Sequence, residues 1–272
     1  MKPTNFSRRA LLLALSGTAS ALLLSSCVVQ QTAPARSAEI RVITSGAFTE
    51  AYKQLVPMFE KETGHKVISA YGASMGNATD SIPSRLARGE AVDVIILAGP
   101  ALDTFIKDGK AVQGSRVDLV RSSIGFAVRS GAPKPDISTV AKLKQTLLNA
   151  KSIAYSASAS GTYFSTEMLQ KMGIADQVLP KSKKIMSERV GTVVARGDAE
   201  LGLQQVSELV PIKGIEYIGP LPDELQQNTF FSAGIVTGAK EPEAARALIK
   251  FFTSAAAAPV IAKTGLEPMT SK

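Results

Sequence analysis

A chain of 272 residues, 45% of them hydrophobic, is long enough to bury a large core in one or two domains. One His (His65) and one Cys (Cys27) exclude a His/Cys zinc site. His65 follows a helix-ending Gly64, so we expect a surface role for it. The net charge of +8 is dispersed, aromatic residues make up 6%, and there is no Trp, which disfavours nucleic-acid binding and favours small anions.

The first 27 residues have the layout of an export signal. Lys2, Arg8 and Arg9 form a basic start, and the apolar run over 10–24 is short for a membrane span. Leu24-Ser25-Ser26-Cys27 looks like a bacterial lipobox, in which Cys27 would become the lipidated first residue of the mature protein. The alternative is an ordinary signal peptide cut beyond Cys27.

The export route stays open, because residues 7–12 also resemble a twin-arginine signal, though weakly. We expect a signal peptide over 1–26 and a flexible tether over 27–38, rich in small and polar residues. The resulting prediction is a periplasmic protein held at the membrane by a lipid.

Strand and helix patterns alternate after the tether, which is typical of parallel sheets covered by helices. The apolar run over 92–98 indicates a strand buried on both faces. Strands are predicted over 40–43, 66–71, 92–98, 124–128, 152–155, 200–205, 215–218 and 230–237. Helices are predicted over 48–62, 81–88, 102–108, 138–148, 163–172, 189–196 and 242–254.

Three turns of small residues each follow a predicted strand and open a helix. Their sequences are Thr44-Ser45-Gly46-Ala47, Gly72-Ala73-Ser74-Met75-Gly76 and Ser156-Ala157-Ser158-Ala159-Ser160-Gly161-Thr162. Free N–H groups at a helix start favour an anion, and ligands of open α/β sheets bind at such strand ends. Ordinary helix capping would produce the same composition.

The order of several motifs resembles the molybdate-binding proteins of bacterial ABC importers over residues 39–272. The motifs are the strand and turn at 40–47, Tyr71-Gly72-Ala73-Ser74, Ala91-Val92-Asp93-Val94, Ser160-Gly161-Thr162-Tyr163 and Leu201-Gly202. The resemblance implies an α/β fold of the two-lobed periplasmic-binding-protein type (type II). Lobe I would comprise 39–121 plus 234–272 and lobe II 122–233, with strands crossing near 122–128 and 231–236.

The resemblance also implies an oxyanion site, which this chain keeps only in part. Ser74 would donate a hydroxyl, and Ser160 and Val190 would donate backbone N–H groups. Ala47 stands where the family has a second serine, and Gln205 stands where it has a tyrosine. Arg189 could grip a carboxylate with two hydrogen bonds, or be a solvated arginine at a helix end. The candidate ligand-binding residues are Ser45, Gly46, Ala47, Ser74, Ser160, Gly161, Arg189, Val190 and Gln205.

Two hypotheses follow. The first is a monomeric receptor that binds molybdate, tungstate or an organic carboxylate between its lobes and delivers it to an ABC permease. The alternative is an enzyme similar to aconitate isomerase, which looks like a molybdate-binding protein and needs one acid/base group. Candidates for that group are Tyr71, Tyr163 and Glu208. Neither hypothesis requires a metal or a cofactor.

Overall fold

The computed structural model describes residues 37–270. The predicted signal peptide, Cys27 and all but the end of the predicted tether lie outside the described residues. Within 37–270, no helix combines the length and the apolar character that a membrane span requires.

The first lobe is built on a six-stranded sheet. β1 (Glu39–Thr44) pairs in parallel with β2 (Lys66–Tyr71) and β3 (Val94–Ala98). β10 (Thr229–Ile235) runs antiparallel between β3 and β4 (Val117–Ser122), and β11 (Glu267–Pro268) closes the edge, giving the order β11-β4-β10-β3-β1-β2. The helices are α1 (Thr49–Thr63), α2 (Ile82–Ala87), α3 (Gly99–Lys107), α10 (Pro242–Phe252) and α11 (Ala258–Ala262), with a 3-10 turn over Gly46–Phe48.

The second lobe is built on a five-stranded sheet of order β7-β6-β8-β5-β9. Its strands are β5 (Ile124–Arg129), β6 (Ile153–Ser156), β7 (Ser182–Ile185), β8 (Leu201–Gln205) and β9 (Ile215–Pro220). Its α-helices are α4 (Val140–Asn149), α5 (Ala159–Tyr163), α6 (Leu169–Lys171), α7 (Ala175–Val178), α8 (Val190–Arg196) and α9 (Val206–Leu209). A π turn over Phe164–Met168 joins α5 to α6, and short 3-10 turns cover Leu179–Lys181 and Asp223–Leu225.

The alternation of strands and helices follows the hydrophobic pattern of the sequence. In α1, Tyr52, Leu55 and Phe59 are buried at helical spacing, and Gly64 ends the helix with a left-handed φ of 74°. β3 is buried along its whole length, as a strand covered by helices on both faces should be.

Besides the two-residue β11, two described strands have no counterpart in the sequence prediction. β4 mixes Asp118 and Arg121 into its apolar pattern, and β7 carries the basic Lys183 and Lys184 at the sheet edge. Both owe their strand structure to backbone pairing with a neighbour, which overrides weak local preference.

The chain crosses between the lobes twice. Ser123 separates β4 from β5, which matches the first crossing expected near 122–128. The second crossing falls between β9 and β10, because Phe231 already pairs with Ala98 of β3. The boundary expected between 233 and 234 is therefore corrected to the segment before Thr229.

Candidate functional site

The two lobes face each other across a cleft of about 310 Å³. Turns at the carboxyl ends of strands form its walls, which is where open α/β sheets bind ligands. Its lining includes residues 45–47, 71–73, 156–160 and 185–189, with Gln204, Gln205 and Glu208.

Ser45 follows β1 on the first-lobe wall. Its N–H donates to the carbonyl of Ile96 at 2.8 Å, while its buried Oγ has no hydrogen-bond partner within 37–270. Buried hydroxyls are normally paired, so a ligand atom would complete this one. The carbonyl of Ala47 accepts a hydrogen bond from Oγ of Ser207 at 2.8 Å, which ties this turn to the second lobe.

Glu208 lies in α9 and its carboxyl group packs against Gly46. A Cβ atom at Gly46 would overlap Oε1 of Glu208, so only glycine leaves room for the carboxyl there. Oε1 accepts a hydrogen bond from Nε2 of Gln204 at 2.9 Å. Burial raises the pKa of Glu208 to about 7, against the opposing effects of the Arg189 charge and the Gln204 hydrogen bond. The carboxyl can therefore accept or release a proton near neutral pH.

Arg189 precedes α8 and reaches across the cleft. Its Nη2 donates to Oε1 of Glu50 in α1 at 2.7 Å. Burial opposes ionisation of Glu50, but the hydrogen bond and charge of Arg189 outweigh it and lower the pKa of that carboxyl. Ser187 donates to Asp80 at 3.2 Å, which gives a second contact between the lobes. A guanidinium has five N–H donors, so Arg189 can hold Glu50 and an anion together.

Ser160 lies on the second-lobe wall, near the start of α5. Its buried Oγ and that of Ser156 are 3.1 Å apart and share a hydrogen bond. Gly161 is outside the lining and serves a packing role, since a Cβ atom there would overlap the carbonyl of Ser156. The ligand-binding role of Gly161 stays a prediction.

Gln205 and Tyr71 also line the cleft. Nε2 of Gln205 donates to Oγ1 of Thr229 at 3.2 Å, and its buried Oε1 is without a partner in the described chain. Tyr71 ends β2, is partly exposed, and has the ammonium of Lys53 5.8 Å from its ring centre. The site thus combines cations, hydroxyls and one carboxyl of raised pKa.

The family model described as "Bacterial extracellular solute-binding protein" matches residues 40–267. The chain belongs to this family. It is 43% identical over 252 residues to a protein of Pseudomonas sp named aconitate isomerase, covering 93% of this chain and 95% of that one. It is 28% identical to the molybdate-binding protein ModA of Azotobacter vinelandii, covering 85% of this chain and 90% of the other.

The periplasmic molybdate-binding protein of Azotobacter vinelandii has a solved structure of the same fold, with a TM-score of 0.67. The two chains are 20% identical, and the match covers 84% of this chain and 98% of the other. The predicted two-lobed α/β fold and the resemblance to molybdate-binding proteins are confirmed.

In this solute-binding protein, Ser74 does not line the cleft. It is fully buried, and its Oγ accepts a hydrogen bond from the N–H of Ala98 at 3.0 Å. Residues 72–76 match the Gly-x-Ser-x-Gly pattern of hydrolase nucleophiles. A serine nucleophile of this kind needs a histidine as its base. His65, the chain's one histidine, does not serve Ser74, because its Nδ1 accepts a hydrogen bond from the N–H of Ala38 at 3.1 Å. Because Oγ of Ser74 only accepts in its contact with Ala98, its own hydrogen is still a donor, and the role of Ser74 as a hydroxyl donor to the ligand stays a prediction.

Val190 and Tyr163 are also outside the cleft lining. The Val190 N–H donates to Oε1 of Gln204 at 2.9 Å, so this helix-terminal donor is already satisfied inside the protein. Tyr163 packs in the second-lobe core, and its hydroxyl donates to the Leu225 carbonyl at 2.8 Å. Burial, with the charge of Glu167, raises the pKa of Tyr163, which disfavours it as a base.

Sequence reasoning missed six polar residues of the cleft: Thr49, Lys53, Asp80, Ser187, Glu188 and Gln204. A sequence signal existed only for Gln204, which with Gln205 interrupts the apolar pattern of β8. Among residues 37–270, no group of three or more His, Cys, Asp or Glu side chains is arranged to hold a metal ion.

Proposed function

We propose that this solute-binding protein is an isomerase that moves the double bond of aconitate or a closely related unsaturated tricarboxylate. The observation that carries the proposal is the buried carboxyl of Glu208, which faces the cleft with its pKa raised to about 7. A general acid/base works best with a pKa near the operating pH. The 43% identity to a protein named aconitate isomerase supports the same chemistry.

The reaction needs one base. Ionised Glu208 would take a proton from the methylene carbon next to the double bond, and the C–H electron pair would form the new double bond. The old double bond's electrons move to the former vinylic carbon, which then receives the proton. Atoms and electrons balance without an oxidant or reductant. The geometry of the product depends on how the cleft holds the carbon skeleton.

The carboxylates of the substrate would be held by groups from both lobes. Arg189 offers charged N–H donors near Glu208, and Lys53 adds a second positive charge in the cleft. Ser45 and Ser160 add hydroxyls on opposite walls. Charge-assisted hydrogen bonds are the strong ones, so the arginine would dominate orientation.

The same contacts disfavour molybdate. A buried dianion needs nearly every oxygen hydrogen-bonded. The N–H of Val190 is occupied by Gln204. Ala47 has no donor in its side chain. Two positions of the molybdate site that the resemblance implies thus lack a free donor in this arrangement.

Conversion of aconitate by the purified mature protein tests the proposal. We expect interconversion of the cis and trans isomers, followed by NMR in D2O, where deuterium enters the carbon skeleton. Glu208→Gln should lower kcat by about 10²–10⁴-fold while calorimetry still detects tricarboxylate binding. Glu90→Gln is the matched control, because Glu90 pairs with Arg85 outside the cleft. Wild-type protein that binds aconitate without converting it would refute the isomerase.

The second candidate is a receptor that delivers the tricarboxylate to an ABC permease from the periplasm, anchored by a lipid at Cys27. Membership of the extracellular solute-binding family favours it. A thermal-shift panel of molybdate, tungstate, sulfate, citrate and both aconitates distinguishes ligands, since binding at 100 times Kd adds about 2.7 kcal/mol. Tight binding without turnover would make the receptor the better account.

A further inference from the structure

Gln204 links the start of α8 to the carboxyl of Glu208. It is the last but one residue of β8 and is buried, with its amide between α8 and α9. Its Oε1 accepts the N–H of Val190 at 2.9 Å, and its Nε2 donates to Oε1 of Glu208 at 2.9 Å. One side chain therefore satisfies the start of α8 and holds the carboxyl.

The direction of this amide is forced by the backbone. Side-chain amide oxygen and nitrogen are assigned from their partners, and a backbone N–H is only ever a donor. The N–H of Val190 must therefore face Oε1 of Gln204, which leaves Nε2 for Glu208. The carboxyl oxygen in that contact can only accept.

We propose that Gln204 is the positioning residue of Glu208, whose Oε1 it fixes so that Oε2 is left for the proton of the substrate. Gly46 supports this arrangement from the first lobe, because its missing side chain is the space that the carboxyl occupies. The role of Gln204 in turnover rests on the proposed isomerase activity. The hydrogen bond between Gln204 and Glu208 does not depend on that proposal.

The donated hydrogen bond also favours the ionised form of Glu208, because a hydrogen bond to a carboxylate lowers its pKa. Losing the donor should therefore weaken the base near neutral pH. The other charged or titratable groups in or beside the cleft are Arg189 and Glu188 before α8, Glu50 and Lys53 on α1, Tyr71 at the end of β2, and Asp80 before α2.

Gln204→Met keeps the volume and removes the donor. We expect the acidic limb of its kcat/KM profile for aconitate to move up by about one pH unit. Turnover should fall about fivefold at pH 7 and recover by pH 9, which a merely structural loss would not do. Gln204→Glu should move the limb further, since two facing carboxyls share one proton.

Gln226→Met is the matched control. Its amide also makes two hydrogen bonds, at 2.9 Å, but both are to backbone groups of Ile124 and lie outside the cleft. Its pH profile should equal that of the wild type. Thermal unfolding of all variants reports how much stability each substitution removes.

Carbon-13 NMR titration of the Glu208 carboxyl separates this proposal from the isomerase. A raised carboxyl pKa in Gln204→Met supports the contact even if the wild type fails to convert aconitate. A Glu208 titration and a pH–rate limb both unchanged in Gln204→Met would overturn the positioning role.

Discussion

Glu208 owes its raised pKa to burial in a carboxyl-sized space beside Gly46. The protein keeps this arrangement although the ionised form is penalised there. A buried glutamate in α9 does not follow from the hydrophobic pattern. We therefore expect Glu208 to lower the stability of the fold by an amount that can be measured.

Glu208→Gln should change the pH dependence of stability. The folded pKa of about 7 lies above the ordinary 4.5, so the wild type's stabilising contribution is complete below pH 4.5 and is lost as pH rises through 7. The variant should therefore gain about 3 kcal/mol relative to the wild type between pH 4.5 and pH 9. Urea unfolding at several pH values measures this difference, and parallel stability curves would contradict it.

Gly46→Ala should displace Glu208 without removing it. The new Cβ atom would overlap the flexible end of the glutamate, so the carboxyl moves and the fold persists. We expect at least a tenfold loss of aconitate turnover, on the order of losing an aligned base. In the double variant with Glu208→Gln the glycine substitution should add almost nothing, and additive losses would point to a separate role for Gly46.

At the scale of elements, α1 and the start of α8 are joined across the cleft by the Glu50–Arg189 ion pair. The 3-10 turn over Gly46–Phe48 and α9 are joined by the hydrogen bond from Ser207 to Ala47. Each contact joins a residue of one lobe to a residue of the other, so each can form only when the lobes are closed.

Glu50→Gln should favour opening of the cleft. A partly exposed ion pair contributes up to about 1 kcal/mol, which changes the closed-to-open ratio by about fivefold at most. Spin labels on each lobe of a Cys27→Ser protein would report the distance distribution. Glu243→Gln is the control, because its pair with Arg246 lies within α10. Identical distance distributions for the wild type and Glu50→Gln would show that the Glu50–Arg189 ion pair does not hold the lobes closed.

At the scale of the whole molecule, ligand choice depends on how both lobes present their donors. We expect calorimetry to show tighter binding of a tricarboxylate than of molybdate. Arg189→Met should weaken the tricarboxylate by about 10–100-fold, as expected for lost hydrogen bonds to a charged group. Tight molybdate binding that Arg189→Met leaves unchanged would restore the molybdate receptor.

The location of the molecule rests on Cys27, which lies outside the described residues. We expect mass spectrometry of membrane fractions to find a lipidated mature protein beginning at Cys27. Cys27→Ser should release the protein in soluble form. A wild-type product that begins beyond Ala35 would show ordinary signal-peptide cleavage instead.

The fold was predictable because its signals are local. Apolar spacing in α1 and the continuous burial of β3 are properties of short segments. The edge strand β7 and the charged β4 escaped prediction, since backbone pairing with distant strands forms them. The second crossing was misplaced for the same reason: the partner of Phe231 is Ala98, far away in sequence.

The alternation of strands and helices, the family resemblance and the small-residue turns of the cleft walls could all be read from the amino-acid sequence. Which polar groups remain for a ligand could not. The N–H of Val190 is used by Gln204, Oγ of Ser74 accepts from Ala98, and Glu208 is brought against Gly46, a residue of the other lobe. A buried polar group pairs with whichever partner is near in space, and that partner often comes from a distant part of the chain.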